Sequence, residues 1–206
     1  MNEKGLLLVI SGPSGVGKGT IVSTLLKDDP ELRLAISATT RSPRMGEKDG
    51  VCYRFFNLEE FEQLKQKEQL LEWAYVYGNY YGTDKQYVLE SLKKGRNVLL
   101  EIDVQGALEV KEKLPGAVLV FVTPPSSAEL RQRLEGRATD SQPDIERRLA
   151  SFIEEVKSAQ KYDYIVINDD VSLAAQKIRS VITAEKLRPC NQNKLLSELI
   201  TEGSHE

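Results

Sequence analysis

Histidine occurs once in the 206 residues, at position 205, and cysteine only twice, at positions 52 and 190. Two thiols so far apart provide neither a disulfide framework nor the ligand spacing of a zinc site, and unpaired thiols suit a reducing compartment. No apolar run reaches the length of a membrane span, and residues 1–5 lack the basic start and long apolar stretch of a signal peptide. The expectation is a soluble, cytoplasmic protein. An excess of positive charge is missing as well: 28 Lys and Arg stand against 31 Asp and Glu, a net charge of -3. No global field would hold nucleic acid or a membrane surface, so any anion must be met by a local basic cluster. No repeat or low-complexity tract occurs.

What is present is enough apolar material, 40% of the residues, to bury one good core. Short apolar runs at 6–10, 98–102 and 118–122 are followed by amphipathic stretches at 21–26, 107–114 and 128–134, and a last pair falls at 164–167 and 173–182. Strands that read as continuously apolar are buried on both faces of a parallel sheet, and the stretches between them supply helical crossovers. This predicts an α/β domain over 5–185, with its core in 5–35, 88–124 and 151–185. Residues 36–87 depart from the pattern. They are polar, aromatic and glycine-rich, with one helix expected over 58–71, and read as an inserted lobe. Residues 125–150 are dense in arginine and read as a short lid. There Ser126 and Glu129 have capping-box spacing ahead of Arg131 and Arg133, and Ile145, Leu149, Phe152 and Val156 follow at helical spacing with Arg147 and Arg148 at the stripe's edge. Residues 186–206 form a polar tail with little sign of packing.

The first strand runs directly into Gly12-Pro13-Ser14-Gly15-Val16-Gly17-Lys18-Gly19-Thr20. Glycines let backbone N–H groups turn inward around phosphate oxygens, and the helix that follows adds its positive end. A bare strand-to-helix turn is the alternative, but the Gly-Lys pair in this placement reads as a P-loop, with Lys18 against the β- and γ-phosphates of ATP. The hydroxyl that usually follows the lysine and meets magnesium is displaced: Gly19 stands there and Thr20 comes one place later. Mg2+ is therefore expected to be held mainly by ATP phosphates and water. Further on, Arg41 and Arg44 flank Pro43 in an extended or turning segment, where two guanidinium forks suit a phosphate monoester as well as they suit a solvated surface.

Five separated motifs, in order, resemble guanylate kinases: Thr39-Thr40-Arg41-Ser42-Pro43-Arg44, Glu72-Trp73-Ala74, Gly78-Asn79-Tyr80-Tyr81-Gly82-Thr83, Glu101-Ile102-Asp103 with Gln105-Gly106, and Arg133-Leu134-Glu135-Gly136-Arg137. The resemblance covers roughly 5–185 and implies a P-loop NTPase fold and γ-phosphoryl transfer from MgATP to GMP, with dGMP as a further acceptor. It implies that Ser37, Arg41, Arg44, Tyr53 and Tyr81 hold the GMP phosphate and that Glu72 and Thr83 read the base. Glu101 and Asp103 would sit between the nucleotides, Asn168 beside adenine or in a turn, and Lys18, Arg41, Arg133, Arg137 and Arg148 would stabilise transferring charge. Arg131 and Arg147 are read as solvated. Chemistry supports the assignment of Glu72, because a carboxylate accepts from both N1–H and the exocyclic amine of guanine, whereas adenine has no donor at N1. Another nucleoside monophosphate kinase and a catalytically silent peptide-binding module are the alternatives. The partners expected are ATP and GMP, with self-association left open.

Overall fold

The computed structural model describes residues 5–51, 53–76, 78–136 and 142–203. In chain order these form β1 (Leu7–Ser11), α1 (Lys18–Asp28), β2 (Leu32–Leu34), β3 (Ser37–Thr39), β4 (Arg54–Phe55), α2 (Leu58–Gln66), β5 (Leu70–Val76), β6 (Asn79–Asp84), α3 (Lys85–Lys93), β7 (Asn97–Glu101), α4 (Val104–Lys113), β8 (Val118–Thr123), α5 (Ser127–Glu135), α6 (Gln142–Ser158), β9 (Tyr164–Ile167), α7 (Val171–Lys186) and α8 (Asn193–Gly203). Five strands make a parallel sheet in the order β2-β7-β1-β8-β9.

The central strand β1 shows why apolar runs without alternation give this layering. Successive side chains of a strand point to opposite faces. Leu8 and Ile10 enter one core with Ile21, Leu25 and Ile178 from α1 and α7. Leu7 and Val9 enter the other with Val88, Leu92, Ala107 and Val110 from α3 and α4. Each fully buried aliphatic side chain contributes about 1.5–3 kcal/mol, so a strand buried on both faces anchors the sheet at its middle. The crossovers put the carboxyl ends of β1 and β7 side by side, with Ile10 in register with Glu101. That is where ligands bind in open α/β sheets.

The second sheet, β4-β3-β6-β5, lies between the halves of the core in sequence and is mixed: β3 pairs parallel to β4 and antiparallel to β6, which pairs antiparallel to β5. Its own small core is Ala38, Phe61 and Leu70, with Tyr80 stacked on Phe61 at 5.4 Å between ring centroids. The helix expected over 58–71 stops at Gln66. Asn57 caps it in a full capping box, and Glu68 at φ 50° turns the chain so that Leu70 and Leu71 open a strand. Two expected boundaries fall inside helices: the lobe's end at 87 lies within α3, and the lid's end at 150 lies within α6, where Ile145, Leu149 and Phe152 pack on the core while Val156 is 38% exposed. The tail is not featureless either, since it carries α8. Asn191 and Gln192 tie it back to the end of α7 through the Glu185 and Lys186 carbonyls. No helix among the described residues is long and apolar enough to cross a membrane.

Candidate active site

The loop from Gly12 to Gly17 has the backbone that its glycines foretold. Gly12, Gly15 and Gly17 all take positive φ. A β-carbon at Gly12 would lie 2.1 Å from the Val122 carbonyl oxygen, inside the next strand's backbone, so no other residue fits without moving β8. Lys18 opens α1 and folds back over the loop, its Nζ donating to the carbonyls of Gly12 at 2.6 Å and Pro13 at 3.0 Å. Ser14 accepts a hydrogen bond from Arg148 of α6. Gly19 and Thr20 are exposed on the first turn. The place of a side chain at Gly19 is faced by Glu101, whose Oε1 is 3.5 Å from where a β-carbon would be.

A cleft of about 790 Å3 runs from this loop to the lobe sheet. Ser37, Arg41, Arg44, Tyr53, Glu72, Tyr81, Glu101, Asp103 and Arg148 all line it, together with Gly12, Ser14, Gly15 and Gly17 to Gly19. Strand alternation brings the lobe residues together: Ser37 is opposite Thr83 and Ala74 opposite Tyr81, so one face looks into the cleft. On the other, Trp73 and Tyr75 pack on Tyr80.

Glu72 is 2% exposed, and the hydroxyl of Thr83 donates to its Oε1 at 2.6 Å. Burial pushes its carboxyl from 4.5 up to about 8, with Thr83 opposing and Asp103 adding to the rise. The Thr83 hydroxyl, expected to face the base, is therefore turned to Glu72. Arg41 is also engaged. Its NH2 donates to Glu47 Oε1 at 2.9 Å and Oε2 at 3.0 Å, and its guanidinium lies 5.3 Å from the Tyr53 ring centroid. Glu47 accepts from the Arg44 backbone N–H as well, at 2.7 Å. Its hydrogen bond with Arg41 raises the arginine's pKa and lowers the Glu47 carboxyl's. A carboxylate thus rests in the fork where a phosphate monoester is expected.

Asp103 caps α4, accepting from Gly106 N–H at 2.8 Å, and burial raises both it and Glu101 against the pull of Lys18. Two further residues depart from expectation. Asn168 is 3% exposed and donates from Nδ2 to the Val16 carbonyl at 2.6 Å, so its carboxamide braces the P-loop from behind instead of facing an adenine. Arg133 is on the same rear side, bonding the Asn168 carbonyl at 2.9 Å and Glu129 at 3.0 Å. With Glu129 paired this way, Ser126 alone caps α5. Arg131 is bound to Glu146 at 2.7 Å on the surface, and Arg137 lies outside the described residues.

Sequence reasoning missed Glu47 and Glu155, which both line the cleft. Glu47 had a signal, an acid three residues after Arg44. Glu155 had none, being one acid in a helix of several, yet it lines the cleft and its carboxyl is raised by burial against the attraction of Lys18.

The sequence model of the guanylate kinase family matches residues 4–185. Guanylate kinase of Caldanaerobacter subterraneus subsp. tengcongensis is 52% identical over 204 residues, covering 99% of this chain and 98% of that protein. That of Halalkalibacterium halodurans is 50% identical over 95% of each. The crystal structure of guanylate kinase from Anaplasma phagocytophilum superposes with a TM-score of 0.79 at 34% identity, covering 92% of this chain and 90% of that one. At such identity over such coverage, the chain belongs to the guanylate kinase family.

Proposed function

We propose that this chain transfers the γ-phosphoryl group of ATP to the phosphate of GMP, giving ADP and GDP. The observation that carries the proposal is one continuous cleft with a P-loop at one end and, at the other, a buried carboxyl beside a hydroxyl on a wall that also holds two arginines. ATP phosphates lie in the loop under Lys18. The GMP phosphate takes the fork of Arg41 from Glu47, with Arg44, Ser37, Tyr53 and Tyr81 around it. Guanine presents N1–H and the exocyclic amine to Glu72, which accepts both as a carboxylate and gives up its proton on binding; Thr83 then turns its hydroxyl to O6. Adenine would leave the buried acid unmatched, a penalty of about 1–3 kcal/mol. The deoxyribose form offers the same base and phosphate and is accepted as well.

Phosphoryl transfer depends on positioning and on stabilising charge at the equatorial oxygens. Lys18 and Arg41 approach that charge from the two substrate sites, and Arg148, Arg133 and Arg137 from the lid. Arg133 must leave the rear of the loop to do so, a movement of the kind that closes a site against water. Glu101 and Asp103 orient GMP and water. Among the described residues no three His, Cys, Asp or Glu side chains converge as a metal cage, and Glu101 faces Gly19, where a loop hydroxyl would otherwise be. These residues fit a magnesium ion that arrives on ATP and is held by phosphates and water, with Glu101 positioning that water. When bound, the ion neutralises charge on the β- and γ-phosphates.

The test is ADP release measured with MgATP against a panel of nucleoside monophosphates. GMP is expected to be the preferred acceptor and Lys18→Ala to lose turnover by at least about a hundredfold. Faster turnover of AMP or UMP than of GMP would overturn the assignment.

A further inference from the structure

The outer edge of β5 faces α4, and the contacts there centre on Glu72. β5 is the edge strand of the lobe sheet, and its register against β6 slips between Leu70 and Trp73. A bulge of this kind interrupts the ladder and re-aims the side chain it carries. Here α4 takes up the backbone on both sides of that side chain. The Leu71 carbonyl accepts from Lys113 Nζ at 2.6 Å, and the Trp73 N–H donates to Glu109 Oε2 at 3.3 Å. Lys113 and Glu109, one turn apart, are bonded to each other at 2.7 Å. The same helix face continues to Gly106, where a β-carbon would stand 2.4 Å from Glu72 Oε2. A single ion pair therefore grips the main chain before and after Glu72, while a glycine leaves room for its carboxyl.

We propose that the Glu109–Lys113 pair is a positioning device for Glu72 and sets how sharply the enzyme tells guanine from hypoxanthine. This rests on Glu72 reading the base. Hypoxanthine keeps N1–H and O6 but has no exocyclic amine, so preference for GMP over IMP reports whether the carboxylate meets two parallel donors or only one. Small displacements of a buried acceptor weaken the second bond first, since hydrogen bonds fall off steeply with angle. The pair lies outside the cleft wall and is partly solvated, with side-chain exposures of 44% for Lys113 and 26% for Glu109. Such pairs contribute little to global stability. Selectivity, not melting temperature, is the property this arrangement controls.

The experiment compares Lys113→Met and Glu109→Gln with the parent enzyme, measuring kcat and KM for GMP, IMP and ATP alongside Tm. In both variants the KM for GMP is expected to rise about tenfold and the GMP-over-IMP preference in kcat/KM to fall by about the same factor. The KM for ATP should stay within about twofold, and Lys113→Arg should restore the preference. An unchanged preference in both variants, or a loss shared equally between ATP and GMP, overturns the inference. Glu72→Gln in the same assay separates two failures. If it abolishes the preference while Lys113→Met leaves it intact, the positioning role alone falls; if it also leaves the preference intact, base reading by Glu72 falls and the positioning role with it.

Discussion

Glu72 combines two demands that conflict. The proposed reading of guanine needs Glu72 ionised, yet burial raises its pKa to about 8, so a protonated carboxyl is expected in the substrate-free protein at neutral pH. The consequence for stability has a definite sign. Below pH 4.5 the group is protonated in folded and unfolded chains alike, and its contribution is complete. Between 4.5 and about 8 only the unfolded chain ionises, so stability falls as pH rises, and above about 8 the loss is complete. Glu72→Gln removes this dependence. The substrate-free variant should therefore be more stable than its parent at pH 8, by up to about 4–5 kcal/mol or roughly 10–15 °C in Tm, and nearly equal to it at pH 4.5. It should lose GMP affinity in the same preparation. Melting curves at several pH values check the claim, and parallel pH profiles for variant and parent would contradict it. A buried acid that weakens the fold where the proposed base reading needs its charge trades stability for function.

Among the elements, α2 and α8 make opposite cases. α2 closes the lobe's small core through Phe61, and its first turn is fixed by Asn57, whose side chain accepts from Glu60 N–H while Glu60 accepts from the Asn57 N–H, both at 2.9 Å. Asn57→Ala should cost about 1 kcal/mol and lower Tm by about 2–4 °C, with the effect confined to stability because the cap lies away from the cleft. α8 presents Leu195, Leu196, Leu199 and Ile200 at 45–70% exposure and has no part in either large core. Removing residues 193–206 should leave Tm within about 1 °C and the KM values unchanged, since little apolar area goes with it. A large fall in Tm after this truncation would mean that α8 is covered in solution.

At the scale of the whole molecule, a protein of net charge -3 binds two polyanionic substrates because its basic groups are gathered in one place. Lys18, Arg41, Arg44 and Arg148 converge on the cleft, and Glu47 and Glu155 offset them. Both sheets contribute walls, so a ligand that fills the cleft joins the lobe to the core. GMP at about a hundred times its Kd should add about 2.7 kcal/mol of stability, a rise of roughly 5–10 °C in Tm for a chain of this size. AMP at the same concentration should give almost none under the proposed reading of the base by Glu72, because adenine has no donor at N1. A thermal shift with AMP equal to that with GMP would show that the lobe does not discriminate.

The sequence by itself determined what depends on neighbours along the chain. The glycines at 12, 15 and 17 marked a tight loop with positive φ between a strand and a helix, and the continuous apolar runs marked strands buried on both faces. The last strand was legible to the residue, over 164–167. The alternation of Ser37, Glu72, Tyr81 and Thr83 on short strands was not, because their hydrogen-bonding partners are distant in sequence and their composition is polar and aromatic. Nor could the chain reveal where long side chains point. Asn168 and Arg133 turn to the back of the P-loop, Arg41 closes on Glu47, and Thr83 bonds Glu72. Only the tertiary structure decided these, since the partner of a buried polar group is whatever the packing of remote elements brings within reach, and the same packing sets how readily that group ionises.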